Sequence, residues 1–473
     1  MKKYLFINGK RIEATEYRLL HSPYSGEVIA DIPVATAEET ELAIQAAEKA
    51  KEVLRKMPAY KRAEILENLA CLLEEKHEEA ANIITLESAK PIKLARDEVS
   101  RTVQTYKFAA EEAKRIQGET IPLDAAPGGE DRIAYTVHEP IGIIGAITPF
   151  NFPMNLVAHK VGPAIATGNT IVLKPANQTP LSALFIAELF SEAGLPAGVL
   201  NVVIGNGSLI GDQIVRDPRI NMITFTGSPE IGIAISNKVG LKRLTLELGS
   251  NAALIVDKNI DIDKIIERCI MGSFSNQGQV CISLQRIYVH NEIYHDFVNK
   301  FTEAVEKLVF GNPFDEKVDL SALISPDDVE RAVSWINEAR DEGALIVTGG
   351  KTTGNILHPT TILGANRNLK VSCREVFAPI VLINEINSVE EGINLINDSR
   401  YGLQAGIYTE NISTALEAAE ELDVGGVIIN DVPTFRVDNM PYGGVKDSGV
   451  GREGIKYAVS EMTETKLVIW NKN

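Results

Sequence analysis

The sequence predicts an α/β protein built on two parallel sheets, and three observations carry that expectation. Short apolar, β-branched runs recur at 141–148, 170–174, 199–204, 222–226, 252–256, 287–290, 380–386, 406–409 and 426–430. Helix-like stretches such as 180–193 and 260–273 separate them, which is the spacing of βαβ units. The 473 residues hold more of these units than one doubly wound sheet usually takes, so two α/β domains are expected.

The elements read in order as follows. Residues 37–57, 60–88 and 90–116 look like long helices rich in Ala, Glu, Lys and Leu, placed to cover one face of the first sheet. Thr36, with Glu39 three residues on, has the capping-box spacing that starts the first of them. Residues 120–136 carry Pro122, Pro127, Gly128 and Gly129 between β-prone ends and read as a projecting hairpin. The tail 464–470 alternates like a lone strand. Such a strand needs a partner, and an exposed edge invites another chain.

Composition excludes several functions. The chain has 47 Lys and Arg against 64 Asp and Glu, a formal charge of −17 that would repel nucleic-acid phosphates. No apolar run reaches the roughly 18–20 residues that cross a bilayer, so no membrane association is expected. The N-terminus lacks the pattern of a signal peptide. Cys71, Cys269, Cys281 and Cys373 lie far apart with no Cys-x-x-Cys spacing. The expectation is a reducing cytoplasm, no disulfides and no metal.

Several residues stand out chemically. An isolated cysteine is usually a small buried hydrophobe, and Cys71 and Cys269 sit in helix stripes where that reading holds. Cys281 differs, because Asn276-Gln277-Gly278-Gln279 gives it a polar, glycine-broken approach that suits an accessible nucleophile. Glu247 follows an apolar run and precedes a glycine, so it is either solvent-facing or a carboxylate at a strand's carboxyl end, where open α/β folds place ligands. Partial burial there would raise its pKa toward that of a general base. Phe225-Thr226-Gly227-Ser228, Gly205-Asn206-Gly207 through Gly211, and Lys174-Pro175-Ala176-Asn177 each follow a strand. Singly they are ordinary turns. Together they favour a nucleotide site. Asn151, held between prolines in Pro149-Phe150-Asn151-Phe152-Pro153, either satisfies its own turn or donates its amide to a developing oxyanion.

As a set these residues resemble the aldehyde dehydrogenase superfamily, over nearly the whole chain and in the family's order. Gly278-Gln279-Val280-Cys281, Glu247-Leu248-Gly249, Glu375-Val376-Phe377 and the signature Pro441-Tyr442-Gly443-Gly444 through Gly449 complete the match. The resemblance implies a discontinuous Rossmann-type NAD(P)-binding domain at 1–118 and 138–246 and an α/β catalytic domain at 247–454. It also implies a small β oligomerisation arm at 119–137 and 455–473, and hence a homodimer or homotetramer.

It further implies the roles. Cys281 is the nucleophile, Asn151 the oxyanion donor and Glu247 the base that releases the acid, with Lys174 beside them. Ile147, Thr148, Pro149, Phe150, Lys174, Ala176, Asn177, Gly207, Gly211, Phe225, Thr226, Gly227, Ser228, Leu248, Gly249, Glu375 and Phe377 hold the cofactor. Ser250 and Ala378 depart from the family's glycines but stay small. Asn177 replaces a glutamate common in NAD-preferring members; NAD is favoured and NADP left open. Arg101, His159 and Arg436 fall where family members line the substrate tunnel, so a small polar or anionic aldehyde is expected: lactaldehyde, succinic semialdehyde, or a sulfo- or phospho-aldehyde. Two alternatives stand beside this. A CoA-acylating enzyme typically lacks the Glu247 carboxylate, and a non-catalytic relative would have lost Cys281, Glu247 or Asn151.

Overall fold

The computed structural model describes residues 1–472. The first sheet has eight strands in the order 10–12, 5–7, 200–202, 170–174, 143–147, 220–226, 243–247, 449–450. Its five central strands are parallel and its outer strands antiparallel. Numbered along the chain, those five lie in the order 3-2-1-4-5, so the winding reverses between Ile143–Ile147 and Ile220–Thr226. That reversal opens a crevice at the carboxyl ends, which is where such sheets bind ligands.

The second sheet has seven strands in the order 345–348, 360–363, 380–386, 286–290, 253–256, 404–408, 426–429. All are parallel except the first. The strand Arg243–Glu247 ends the first sheet's parallel set and Ala253–Val256 begins the second's. The return of 449–450 to pair with Leu246 and Glu247 stitches the second half of the chain back onto the first sheet.

Thr36 caps the helix Ala37–Arg55 with a capping box, its amide donating to Glu39 Oε2 at 2.8 Å. The stretch read as one helix over 60–88 is two, Ala59–Glu75 and His77–Ser88, because Lys76 leaves helical geometry at φ −100°, ψ 25°. No proline or glycine marks that break. Helix Ile92–Ala113 packs on Ala59–Glu75 and on Asn155–Thr167, and all thirteen residues of Asn155–Thr167 are buried.

The tail is not a lone strand. Thr463–Asn471 pairs antiparallel with Arg132–Pro140 of its own chain, nine residues in register, and Thr120–Ile121 adds a third strand. Leu467, Ile469 and Trp470 stay at least half exposed. The partner the tail needs on one edge lies within the chain, and the other edge is left free of a strand among the described residues.

Lys90 and Glu98 form a fully buried ion pair. Glu98 Oε1 also accepts from the Met154 and Asn155 amides at 2.9 and 3.2 Å. Lys90 Nζ donates to the Asn151 carbonyl at 2.8 Å and lies 3.9 Å from the centre of the Phe152 ring. Replacing one partner strands the other's charge without water. Lys90→Met should therefore lower folding stability by about 3–5 kcal/mol in urea titration, whereas a surface pair such as Lys61–Glu64 should cost under about 1 kcal/mol.

Candidate active site

Residues from four loops and one strand end meet at the carboxyl ends of the first sheet and the amino ends of the second. Asn151 follows Ile143–Ile147, Gly227 and Ser228 follow Ile220–Thr226, and Glu247 closes Arg243–Glu247. Cys281 comes just before Arg286–His290, and Glu375 and Phe377 just before Ile380–Ile386. Between them lies a cavity of about 1240 Å³.

The nucleophile loop is held by amides. After helix Ile262–Phe274 and Ser275, Asn276, Gln277 and Gly278 are all left-handed, with φ of 51°, 58° and 69°. Two non-glycine residues in that region cost energy, so the surroundings must impose it. Gln277 Nε2 donates to the Ala89 and Ala322 carbonyls at 3.2 and 3.0 Å. Asn276 Nδ2 donates to the Asn151 and Gln279 carbonyls at 3.2 and 3.3 Å. A Cβ at Gly278 would come 2.2 Å from the Ala378 carbonyl oxygen, so only glycine fits. Asn151 Nδ2 reaches across to the Gln279 carbonyl at 2.9 Å. The oxyanion candidate and the nucleophile loop are thus one bonded unit.

Cys281 is partly buried, and its Sγ lies 2.8 Å from the Tyr442 hydroxyl. Burial pushes the thiol up to about 11, against the Tyr442 hydrogen bond and the Arg436 charge, which favour the thiolate. The Arg436 guanidinium carbon sits 3.6 Å from the centre of the Tyr442 ring. Glu247 is buried, with neither carboxylate oxygen hydrogen-bonded to protein. Burial, and then the charge of Glu453, raise its pKa well above the usual carboxylate value, against Arg436, Lys160 and Arg452. That environment suits a general base rather than a permanent anion.

A charge network backs the cavity. Glu453 binds Lys160 Nζ and Arg436 Nη2, each at 3.1 Å. Asp438 accepts from Arg101 at 2.7 and 3.2 Å, from Asn155 Nδ2 at 3.2 Å, and contacts His159 Nε2 at 2.8 Å. Burial, and then the Arg436 charge, lower the His159 pKa against the pull of Asp438 and Glu453, which favours the neutral ring.

Of the substrate candidates, Arg101 and Arg436 line the cavity. His159 does not. Its side chain is closed off from solvent behind Asp438, which it orients, and the expectation of a direct substrate contact is corrected accordingly. Ile147, Thr148, Pro149, Phe150, Phe225, Thr226, Gly227, Ser228, Leu248, Gly249, Glu375 and Phe377 line the same cavity. Lys174, Ala176, Asn177, Gly207 and Gly211 lie beyond it, at the end of Thr170–Lys174, where the Lys174 stem runs 3.9 Å from the Cβ positions of both glycines.

These residues fit a dinucleotide. A Cβ at Gly249 would stand 2.5 Å from Glu375 Oε2, so a glycine there lets the Glu375 carboxylate lie against the backbone. Glu375 Oε1 accepts from the Ser250 amide at 3.0 Å, and burial raises the acid to about 7. The Phe150 and Phe377 rings meet edge to face at 5.7 Å. Helix Pro229–Ser236 starts on Ser228, whose side chain makes no cap bond of its own. Among the described residues no cluster of His, Cys, Asp and Glu is placed to hold a metal. Tyr442 was named only within the signature Pro441 through Gly449, with no role, and Asp438, Glu453 and Lys160 were not singled out at all. Of these only Lys160 left a signal, as a charge inside the apolar run Leu156–Val161.

The Tyr442 hydrogen bond yields a pH test. Tyr442→Phe removes a donor to the thiolate, so the Cys281 pKa should rise further. The pH profile of Cys281 alkylation by iodoacetamide should shift to higher pH, and the rate at pH 8 should fall. An unmoved or acid-shifted profile would mean the contact carries no thiolate stabilisation.

The family model "Aldehyde dehydrogenase family" matches residues 12–468. A 3-sulfolactaldehyde dehydrogenase of Priestia aryabhattai is 47% identical over 472 residues, covering 100% of this chain and 98% of that protein. A lactaldehyde dehydrogenase of Methanococcus aeolicus is 43% identical over 471 residues, covering 99% and 100%. The crystal structure of glyceraldehyde-3-phosphate dehydrogenase GapN from Methanocaldococcus jannaschii, complexed with NADP, superposes with a TM-score of 0.93 at 43% identity, covering 97% of this chain and 100% of that one.

Proposed function

The chain belongs to the aldehyde dehydrogenase family, and from that premise we propose that it oxidises a small aldehyde with a polar or anionic tail, using NAD(P). The observation that carries the reading is one cavity lined by Cys281, Glu247 and Asn151 at one end and by Arg101 and Arg436 nearby.

The residues divide the work. Cys281, as the thiolate, attacks the aldehyde carbon. The Asn151 amide and the Cys281 main-chain amide take the charge on the oxygen of the thiohemiacetal. When bound, the nicotinamide accepts hydride. Glu375 is placed to hold the ribose on the nicotinamide side, and Ser228 with the Pro229–Ser236 helix start to hold the pyrophosphate. Glu247 then takes a proton from water, which cleaves the thioester on Cys281 and frees the acid. The buried, unbonded Glu247 oxygens leave room for that water to be the partner they lack.

The tail reading rests on charge. Arg101, Arg436 and Lys160 face the two carboxylates Asp438 and Glu453, while His159 is biased toward its neutral form and Glu247 is pushed toward its protonated form. Among these five charged groups the cations outnumber the carboxylates by one. A hydroxylated sulfonate, phosphate or carboxylate tail balances it, in keeping with the 3-sulfolactaldehyde dehydrogenase relative, whereas the lactaldehyde dehydrogenase relative matches only the polar, hydroxylated part of this reading.

The cellular setting and assembly belong to the same reading. No helix among the described residues is long and apolar enough to cross a membrane, and all four cysteines are free. We place the enzyme in the cytoplasm. The open edge of Thr463–Asn471, with Leu467, Ile469 and Trp470 exposed, favours a homodimer or homotetramer.

Two experiments test the chemistry. Glu247→Gln should give one equivalent of NAD(P)H per site and then stall, while Cys281→Ala should give neither burst nor turnover. Full steady turnover by Glu247→Gln, or its capture only by added CoA, would remove Glu247 as the hydrolytic base. For the tail, kcat/KM should favour an anionic aldehyde over a neutral one of equal length by roughly 10–150-fold, with Arg101→Ala losing that preference. A wild-type preference for neutral aliphatic aldehydes would sink the tail reading.

A further inference from the structure

The second sheet carries a cavity of its own, of about 810 Å³. It lies against the strand Arg286–His290, the end of helix Val389–Asn397 and the segment 365–374. Cys281, Glu247 and Asn151 take no part in its walls. It meets the catalytic cavity only along Asn368, Cys373 and Arg374, which line both.

Four guanidinium groups line this second cavity against one carboxylate. Arg367 is paired with that carboxylate, Asp398, and Arg400 with Asp447 at 2.7 Å. Arg400 makes that contact through Nε, and its Nη atoms make no hydrogen bond among the described residues. Arg374 is exposed, and its side chain has neither hydrogen bond nor ion pair among the described residues. Arg286 is 5% exposed, yet its partners are all neutral. They are the Asn251 and Leu395 carbonyls at 2.9 and 3.2 Å, and the Tyr288 hydroxyl and Asn251 Oδ1, each at 3.2 Å. One hydrogen on its Nη2 is left without an acceptor. Lys90 and Lys160 are buried as deeply, and each has a carboxylate. Ser372, 7% exposed in the same wall, keeps its hydroxyl buried and without a partner.

Arg286 and Arg374 thus have no carboxylate partner. A buried charge with only neutral acceptors costs free energy that an opposite charge recovers. We propose that this cavity is a second ligand site, separate from the catalytic cavity, which binds a small phosphomonoester. Two unpaired positive charges match the phosphate dianion that prevails at neutral pH. Arg286, Arg374 and Arg400 line the cavity from a strand, a loop and the segment after a helix, so each can serve a different terminal oxygen of a tetrahedral phosphate. The two coplanar oxygens of a carboxylate would leave one guanidinium over. Ser372 and the half-buried Asn384, whose side chain makes no hydrogen bond among the described residues, add neutral donors for the rest of the molecule.

Glycerol 3-phosphate has no aldehyde to oxidise, so it serves as the probe in calorimetric titration of the full-length enzyme. Saturating the enzyme with NAD(P) keeps the probe out of the dinucleotide site. Binding should persist in Arg101→Ala, which removes a cation of the catalytic cavity, and should weaken at least about 10-fold in Arg400→Gln made in that same background. Arg400 is one-third exposed, so its replacement leaves the core intact, and Arg374→Gln, at an exposed position, should weaken binding as well. Added salt should loosen the complex, and glycerol alone should give no heat of binding. No binding to the Arg101→Ala enzyme, or binding there that Arg400→Gln leaves unchanged, would overturn the proposal.

Discussion

The site depends on the buried pair Lys90–Glu98 more than on any group that touches the reaction. Two charges removed from water are costly, and here every remaining valence is used. Glu98 is tied to the Met154 and Asn155 amides, and Lys90 to the Asn151 carbonyl and the face of Phe152. The pair therefore works as a clamp. It fixes both the start of helix Asn155–Thr167 and the backbone of the residue whose amide faces the nucleophile loop. Asn276 continues the chain of constraint, binding the Asn151 carbonyl from the other side and the Gln279 carbonyl with the same nitrogen. The left-handed residues 276–278 are held in place by this scaffold, so the strain before Cys281 is maintained by bonds that originate in the N-terminal helices.

The sheets were legible because their central strands, such as Ile143–Ile147, Thr170–Lys174, Ala253–Val256 and Arg286–His290, are almost wholly buried and read as continuous apolar runs. Every run read as a strand at 141–430 overlaps an observed one, and the motifs followed because they sit at the strand ends facing the crevice. What was hidden obeys no local rule. The break at Lys76 has no proline or glycine to announce it. The tail's partner lies more than 300 residues away in sequence, and alternation alone cannot say which edge a strand will find. The charge network was hidden for the same reason. Asp438, Glu453 and Lys160 come from three separate segments, and their meaning exists only once the chain is folded.

Arg436 links the two halves of the chemistry. It stacks on the tyrosine that bonds the Cys281 sulfur, and it pairs with the glutamate whose charge raises Glu247. Its own charge favours the ionised form of both Cys281 and Glu247, while burial opposes ionisation of each. The resting site is thus biased toward a neutral thiol and a neutral acid, with one cation able to stabilise whichever anion forms. The Glu247 charge raises the Cys281 pKa, so the site disfavours holding a thiolate beside the carboxylate. Acylation consumes the thiolate and removes that repulsion, so Glu247 becomes a readier base after the thioester has formed than before it. Chemistry fixes the order of the two half-reactions, since the thioester must exist before water can cleave it, and one buried guanidinium favours the ionised form of the group each half-reaction uses.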